Sequence, residues 1–324
     1  MTALDVFAPI GALALFLSGM ELLSAGLRSA SQQRVQALLT QATGSLWRSV
    51  ALGTVVTALV QSSSAVTVVL VGLAAGGTLV PAQTAGLIAG ANIGTCATAF
   101  LVHFGLTGSW MGLFHSGYAL FALCLLFPAA LCRRCPAALR VCTGLAALLT
   151  GMAHMQDALA PLSGTPLFAR LLSQCASPPS GLFAGTLATA ILQSSSACIA
   201  LLQTVSASGM LSLSCVIPIV LGQNIGTCVT ALLASLGARR AARQTALLHL
   251  LFNVFGAAAV LPPLFAVQRL APQLLTRPAD SAAIAVVHLL CNLAAAALFL
   301  PLHGRIVAHI TKSSLPPKRK TAVN

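Results

Sequence analysis

Charge is what this sequence has least of. Four of its 324 residues are acidic, Asp5, Glu21, Asp157 and Asp280, and Asp, Glu, Lys and Arg together make up 6%. A soluble domain carries about 25%, so no water-facing surface can be drawn around this chain. Glu21 and Asp157 fall near the ends of apolar runs, which makes neither a convincing proton carrier. No Gly-x-Ser-x-Gly elbow occurs, against a hydrolase built on one. No basic segment precedes the first apolar run, where Asp5 is the only charge; that run reads as a retained span and not a cleaved leader. No second ligand pair accompanies Cys132-Arg-Arg-Cys135, so the spacing is weak evidence for zinc, and the ten cysteines read mainly as small packing residues.

What the chain has in excess is apolar surface: 57% hydrophobic residues and a mean hydropathy of +0.94. That combination describes one polytopic membrane domain. The net charge of +13 sits in short clusters between apolar runs, as membrane loops place it, and not in a nucleic-acid footprint.

The polar residues inside the apolar runs repeat. Gln61-Ser62-Ser63-Ser64-Ala65 returns as Gln193-Ser194-Ser195-Ser196-Ala197, Asn92-Ile-Gly-Thr95-Cys96 as Asn224-Ile-Gly-Thr227-Cys228, and Gly19-Met20 as Gly151-Met152, always 132 residues later. This is an internal duplication, with residues 1–136 as the first unit, 137–304 as the second plus a final span, and 305–324 as a basic tail. Each Gln-Ser-Ser-Ser cluster interrupts an apolar stretch, near 50–77 and 182–209. Arms of about 11 residues reach roughly 16 Å, half the hydrocarbon thickness, so each stretch is expected to form a re-entrant hairpin with a polar tip. The glycines of Gly90-Ala-Asn-Ile-Gly-Thr95 and of its copy predict a helix unwound near mid-membrane.

Spans are expected near 6–27, 82–104, 109–131, 138–156, 213–236, 244–267 and 282–303, with a polar interfacial connector from Gln32 to Arg48. Trp110 is read as an interfacial anchor, and the segment from Lys312 as a polar tail. With the N-terminus outside and both hairpins returning to the face they left, 14 of the 17 basic residues fall inside and only Arg170, Arg269 and Arg277 outside. The same count turns the two units upside down relative to each other. The fold class is therefore all-α: about seven spans in two inverted repeats, each with a re-entrant hairpin and a broken helix, in the cytoplasmic (inner) membrane with the C-terminus inside.

Neither tip contains Lys or Arg. Hydroxyls, amides and backbone N–H groups at helix N-termini suit a tetrahedral oxyanion, and a co-bound hard cation such as sodium would offset its charge. Cation candidates are Thr57, Gln61, Asn92, Thr95 and their counterparts Thr189, Gln193, Asn224 and Thr227. Isolated hydroxyls in membrane helices are more often interhelical glue; two identical clusters in register outweigh that reading. His249 with Asn253, and His288 with Asn292, each share a helix face and are candidates for function or for interhelical hydrogen bonds. The competing classes are an intramembrane serine hydrolase, with a serine among 62–64 and His249 as base, and an open channel.

On the paired Gln-Ser-Ser-Ser motifs, Leu15-Phe-Leu-Ser-Gly-Met20-Glu21-Leu-Leu and the two Asn-Ile-Gly-Thr segments, the chain resembles the sodium–phosphate cotransporter family, the type II group and its bacterial relatives, over about residues 10–300. The resemblance implies sodium-coupled symport of inorganic phosphate by alternating access, with transported sodium and no resident cofactor. Phosphate export, or carriage of another oxyanion, is the alternative. The assignment reached places Ser62, Ser63, Ser64, Ser194, Ser195, Ser196, Asn92 and Asn224 on the substrate, and Gln61, Gln193, Thr57, Thr189, Thr95 and Thr227 on sodium. Partners are the two ions and membrane lipid, and the reading admits a homodimer. Cys96 and Cys228 stand where many relatives carry a second threonine, which leaves that hydroxyl out of the coordinating set. A short basic tail stands where bacterial relatives carry a PhoU-like domain, so regulation is expected to come from elsewhere.

Overall fold

The computed structural model describes residues 3–41, 44–107, 111–131, 136–163, 165, 170 and 173–313. Helix α1 runs Ala3–Gln41, α2 Leu46–Val60, α3 Ser63–Ala75, α4 Pro81–Thr107, α5 Met111–His115, α6 Gly117–Leu131 and α7 Ala137–Ser163. Then come α8 Pro178–Leu192, α9 Ser195–Ser206, α10 Leu213–Ala234, α11 Arg240–Leu270 and α12 Ser281–Ser313. Among the described residues no strand forms beyond one isolated bridge, between Ser212 and Pro278. Among the described residues six helices are long and apolar enough to cross a membrane: α1, α4, α7, α10, α11 and α12. The protein is an all-α, polytopic integral membrane protein.

The seventh expected span, 109–131, is divided. Residues 111–115 and 117–131 form separate helices on either side of Ser116. The Ser116 hydroxyl donates to the Leu113 carbonyl at 2.5 Å and its own carbonyl accepts from Ala119 N–H at 3.1 Å, so the serine closes one helix and opens the next. The expected polar connector from Gln32 is helical as far as Gln41, and the segment beyond residue 304 stays helical to Ser313. Trp110, the Cys132–Cys135 pair and residues 314–324 lie outside the described residues.

The expectation of broken helices is corrected. Both α4 and α10 are continuous through Asn92 and Asn224. Their glycines serve packing instead. A Cβ at Gly86, Gly90 or Gly94 would strike the carbonyl oxygen of Leu46, Val50 or Thr54, so α4 lies against α2 backbone to backbone. These contacts advance together, 46 with 86, 50 with 90 and 54 with 94, which makes α2 and α4 parallel. The second copy matches: Gly222 meets Leu182 O and Gly226 meets Thr186 O, so α8 and α10 are parallel as well.

Helices α1 and α7 make the opposite kind of pair. Gly19 meets the backbone of Leu148, Gly144 that of Leu23, and Gly151 that of Phe16. Numbers rise on one helix as they fall on the other, so the two are antiparallel. Gly19 and Gly151, and Phe16 and Leu148, are also 132 residues apart. The contact is thus its own image under the sequence offset.

Three apolar clusters close around these pairs. One joins α2, α3, α4, α11 and α12 about Leu70, Leu87, Phe252 and Phe299, the last two edge-to-face at 5.4 Å. A second surrounds Ile199, Val216 and Ile284, and a third Phe16, Leu148 and Met152. Helix α3 packs on α10, and α9 on α4, so the arm after each serine cluster crosses to the other copy.

Candidate functional site

Each serine cluster forms a sharp corner between two helices. Helix α2 ends on Gln61 in the left-handed conformation, φ 57° and ψ 26°, and α8 ends on Gln193 at φ 51° and ψ 25°. Among the described residues these are the only non-glycine positions with positive φ. A glutamine there is strained by about 1–2 kcal/mol where glycine would not be, and such strain is typical of functional corners. The next residue is extended and caps the following helix. Ser62 Oγ accepts from Ala65 N–H, and Ser194 Oγ from Ala197 N–H, both at 3.2 Å. The N-termini of α3 and α9, each with its positive partial charge, thereby sit at the corners.

The two corners converge. A cavity of about 460 Å³ is lined by Gln61, Ser62 and Ser64 from the first, by Leu192, Gln193 and Ser194 from the second, and by Ala65, Val68, Ala197 and Thr230 behind them. Leu17, Met20 and Glu21 of α1 form the remaining wall. Ser64 Oγ donates across the gap to the Gln193 carbonyl at 3.5 Å. Among the described residues the lining contains no lysine or arginine, and Glu21 is its one acidic side chain.

Five of the residues expected at the site therefore line one cavity: Gln61, Ser62, Ser64, Gln193 and Ser194. The others do not line it. Ser63, Ser195 and Ser196 are buried behind the corners. Thr95 and Thr227 donate to the carbonyls of Ala91 and Gln223 in their own helices, each at 2.9 Å. Thr57 and Thr189 are fully buried; the Thr57 hydroxyl has no partner, and that of Thr189 lies against the Cys198 thiol. Asn92 donates to the Ile88 carbonyl at 2.9 Å, and Asn224 to Asn292 Oδ1 at 3.2 Å.

Cys96 and Cys228 face away from the cavity. Asn292 Nδ2 donates to Cys96 Sγ at 3.4 Å and Asn253 Nδ2 to Cys228 Sγ at 3.2 Å. A hydroxyl at either place would meet these asparagines on α12 and α11. Both histidines that share a face with these asparagines are buried, and neither ring nitrogen of His249 has a partner. The imidazole is therefore not bonded to a serine of either corner, the contact a hydrolase needs between base and nucleophile.

Sequence reasoning missed Thr98, Thr230 and the α1 wall. Thr98 Oγ1 donates to Gln61 Oε1 at 2.7 Å. Both threonines follow Asn-Ile-Gly-Thr-Cys by two residues, so extending the repeated motif would have found them. Glu21 stands within the Gly-Met-Glu stretch already singled out, but its position on the cavity wall depends on how α1 packs.

The sequence model of the Na+/Pi-cotransporter family matches this chain twice, over residues 15–157 and 147–270. YqeW, an uncharacterized protein of Bacillus subtilis (strain 168), is 46% identical over 123 residues, 38% of this chain and 39% of that protein. Sodium-dependent phosphate transport protein 2A of Oryctolagus cuniculus is 39% identical over 93 residues, 27% of this chain and 14% of that protein. The aligned part of the chain thus spans well under two thirds of either relative. No solved structure matches it.

Proposed function

The chain belongs to the Na+/Pi-cotransporter family, and on that premise we propose that it is a sodium-coupled symporter of inorganic phosphate that works by alternating access. The observation that carries this reading is the convergence of two capped helix N-termini, with their serines and glutamines, on one cavity that has no basic side chain among the described residues. Two positive helix ends and several hydroxyl donors suit a tetrahedral anion. Neutral oxygens of the glutamines, and the buried hydroxyls of Thr57 and Thr189 four residues before them, suit sodium. Each ion lowers the cost of holding the other, which is coupling in the thermodynamic sense. The full substrate set is that of the sequence reading, Ser62–Ser64, Ser194–Ser196, Asn92 and Asn224, with Gln61, Gln193, Thr57, Thr189, Thr95 and Thr227 on sodium.

Inverted repeats and re-entrant hairpins belong to the same proposal. Helices 132 residues apart that run antiparallel, α1 and α7, are what inversion requires. Parallel α2 and α4 favour a hairpin: if α2 enters and α3 returns to the same face, α4 starts from that face in the direction of α2. Residues 1–136 and 137–304 are then the two units. Helices α5 and α6 together make the seventh crossing, and the 14-to-3 distribution of basic residues supports an N-terminus outside and a C-terminus inside the inner membrane.

The test is phosphate flux in proteoliposomes under sodium, lithium or potassium gradients, with and without an imposed potential. Sodium-specific flux is expected, and Ser64→Ala and Ser194→Ala should each lower it about tenfold, since a hydroxyl lost from a buried site costs about 1–3 kcal/mol. Equal flux in the three cations would refute sodium coupling.

A further inference from the structure

The two corner glutamines are equivalent in sequence and unequal in space. Gln61 is buried; its Oε1 accepts from Thr98 Oγ1 at 2.7 Å and its Nε2 donates to the Ala58 carbonyl at 2.5 Å. Gln193, at the same left-handed corner of the second copy, is exposed on the cavity wall. Thr230 follows Thr98 by 132 residues and lines that cavity, yet its Oγ1 is buried without a partner. The neighbouring serines are unequal too, in the opposite sense, because Ser64 of the first copy lines the cavity while its counterpart Ser196 is buried. The residues that make a closed Gln–Thr pair in one copy leave an open pair in the other, although both copies carry the same residue types at these places.

We propose that Thr98 and Thr230 are positioning residues that hold Gln61 and Gln193 in alternation: both glutamines line the cavity, but while the amide of one is tied to its own threonine the amide of the other is free, and the two hydrogen bonds exchange as the cavity passes from one membrane face to the other. This rests on the alternating-access reading above. The physical reason is degeneracy. A duplicated unit caught in two shapes has a second arrangement in which the copies trade shapes, with one hydrogen bond made and one hydroxyl orphaned in either case. Neither arrangement is then strongly preferred, which an alternating carrier requires.

The exchange predicts shifts of opposite sign. Thr98→Val removes a bond made only in the present arrangement, and Thr230→Val one made only in the other. Leu17, on the cavity wall, serves as reporter: in Leu17→Cys protein reconstituted in one orientation, a membrane-impermeant maleimide is added to either face, and rates are corrected for the same protein without Cys at 17. The ratio of the two rates measures the population ratio of the two arrangements. Thr98→Val should move it about fivefold one way and Thr230→Val about fivefold the other, the worth of one hydrogen bond, while Thr98→Ser and Thr230→Ser keep the parent ratio. Should a valine variant fail to fold, the alanine pair is read in the same way. Shifts in the same direction, or none in either variant, would overturn the proposal. Labelling of the parent from one face only, whatever sodium and phosphate are present, would instead overturn alternating access, and the exchange with it.

Discussion

Replacing Gly90 with alanine measures how closely α4 lies against α2, the contact that displaced the expectation of an unwound helix. A Cβ at Gly90 would sit 2.8 Å from Thr54 N and 2.9 Å from Val50 C, and nearer still to the Val50 carbonyl oxygen. Unstrained contacts between such atoms begin near 3.5 Å, so the helices must part by about 0.7 Å to relieve the Thr54 nitrogen alone, and by more to clear the Val50 oxygen. All three neighbours are backbone, and no rotamer change can relieve them. Overpacking of this kind costs about 1–3 kcal/mol. Alanine returns about 0.5–1 kcal/mol through its better helix propensity, leaving a net loss of about 1–2 kcal/mol. Gly222→Ala should behave alike, with Thr186 N at 2.8 Å and Leu182 C at 2.9 Å. Gly72, inside α3, is the control: nothing lies within 4 Å of its Cβ position, so Gly72→Ala should gain about 0.5–1 kcal/mol. Thermal unfolding in detergent, with the three variants side by side, should place Gly90→Ala and Gly222→Ala below wild type and Gly72→Ala above it. A Gly90→Ala midpoint at or above wild type would refute the close approach. It would return to Gly90 the role of loosening the helix.

Ser62→Ala and Ser194→Ala each remove an N-cap bond to a backbone N–H and should cost about 1 kcal/mol in the same thermal assay, against a few tenths for the glycine variants; equal losses for alanine and glycine would mean the caps contribute nothing. Because Cys96 and Cys228 face asparagines of α12 and α11, Cys96→Thr with Cys228→Thr should leave the sodium dependence of phosphate uptake unchanged, and a steeper dependence would move those positions to the ion path. Single cysteines replacing Arg140 and Arg240 should react with an impermeant maleimide only from inside, and those replacing Ser163 and the exposed Arg277 only from outside; a shared side for residues 140 and 163 would undo the inversion.

The solvent, the duplication and the two polar corners were legible in the sequence because each depends on residue type alone. A chain with 6% charge cannot face water on all sides, and an offset of 132 that carries the same residues needs no coordinates to be seen. Helix continuity was another matter. Glycines at 86, 90 and 94 weaken a helix equally whether it unwinds or another backbone fills the space they leave, and only α2 lying against them decided for the second. Site membership was likewise tertiary. Within Ser62-Ser63-Ser64 the middle hydroxyl is buried while its neighbours face the cavity, because the left-handed Gln61 sets the phase in which α3 starts. Glu21 reaches the cavity only because α1 walls one side of it. The unequal state of Gln61 and Gln193 lay beyond any sequence reading, since identical motifs cannot say which copy is closed. That difference arises from how two equivalent units pack against each other, where the Gln61 amide is buried against Thr98 and the Gln193 side chain is left exposed.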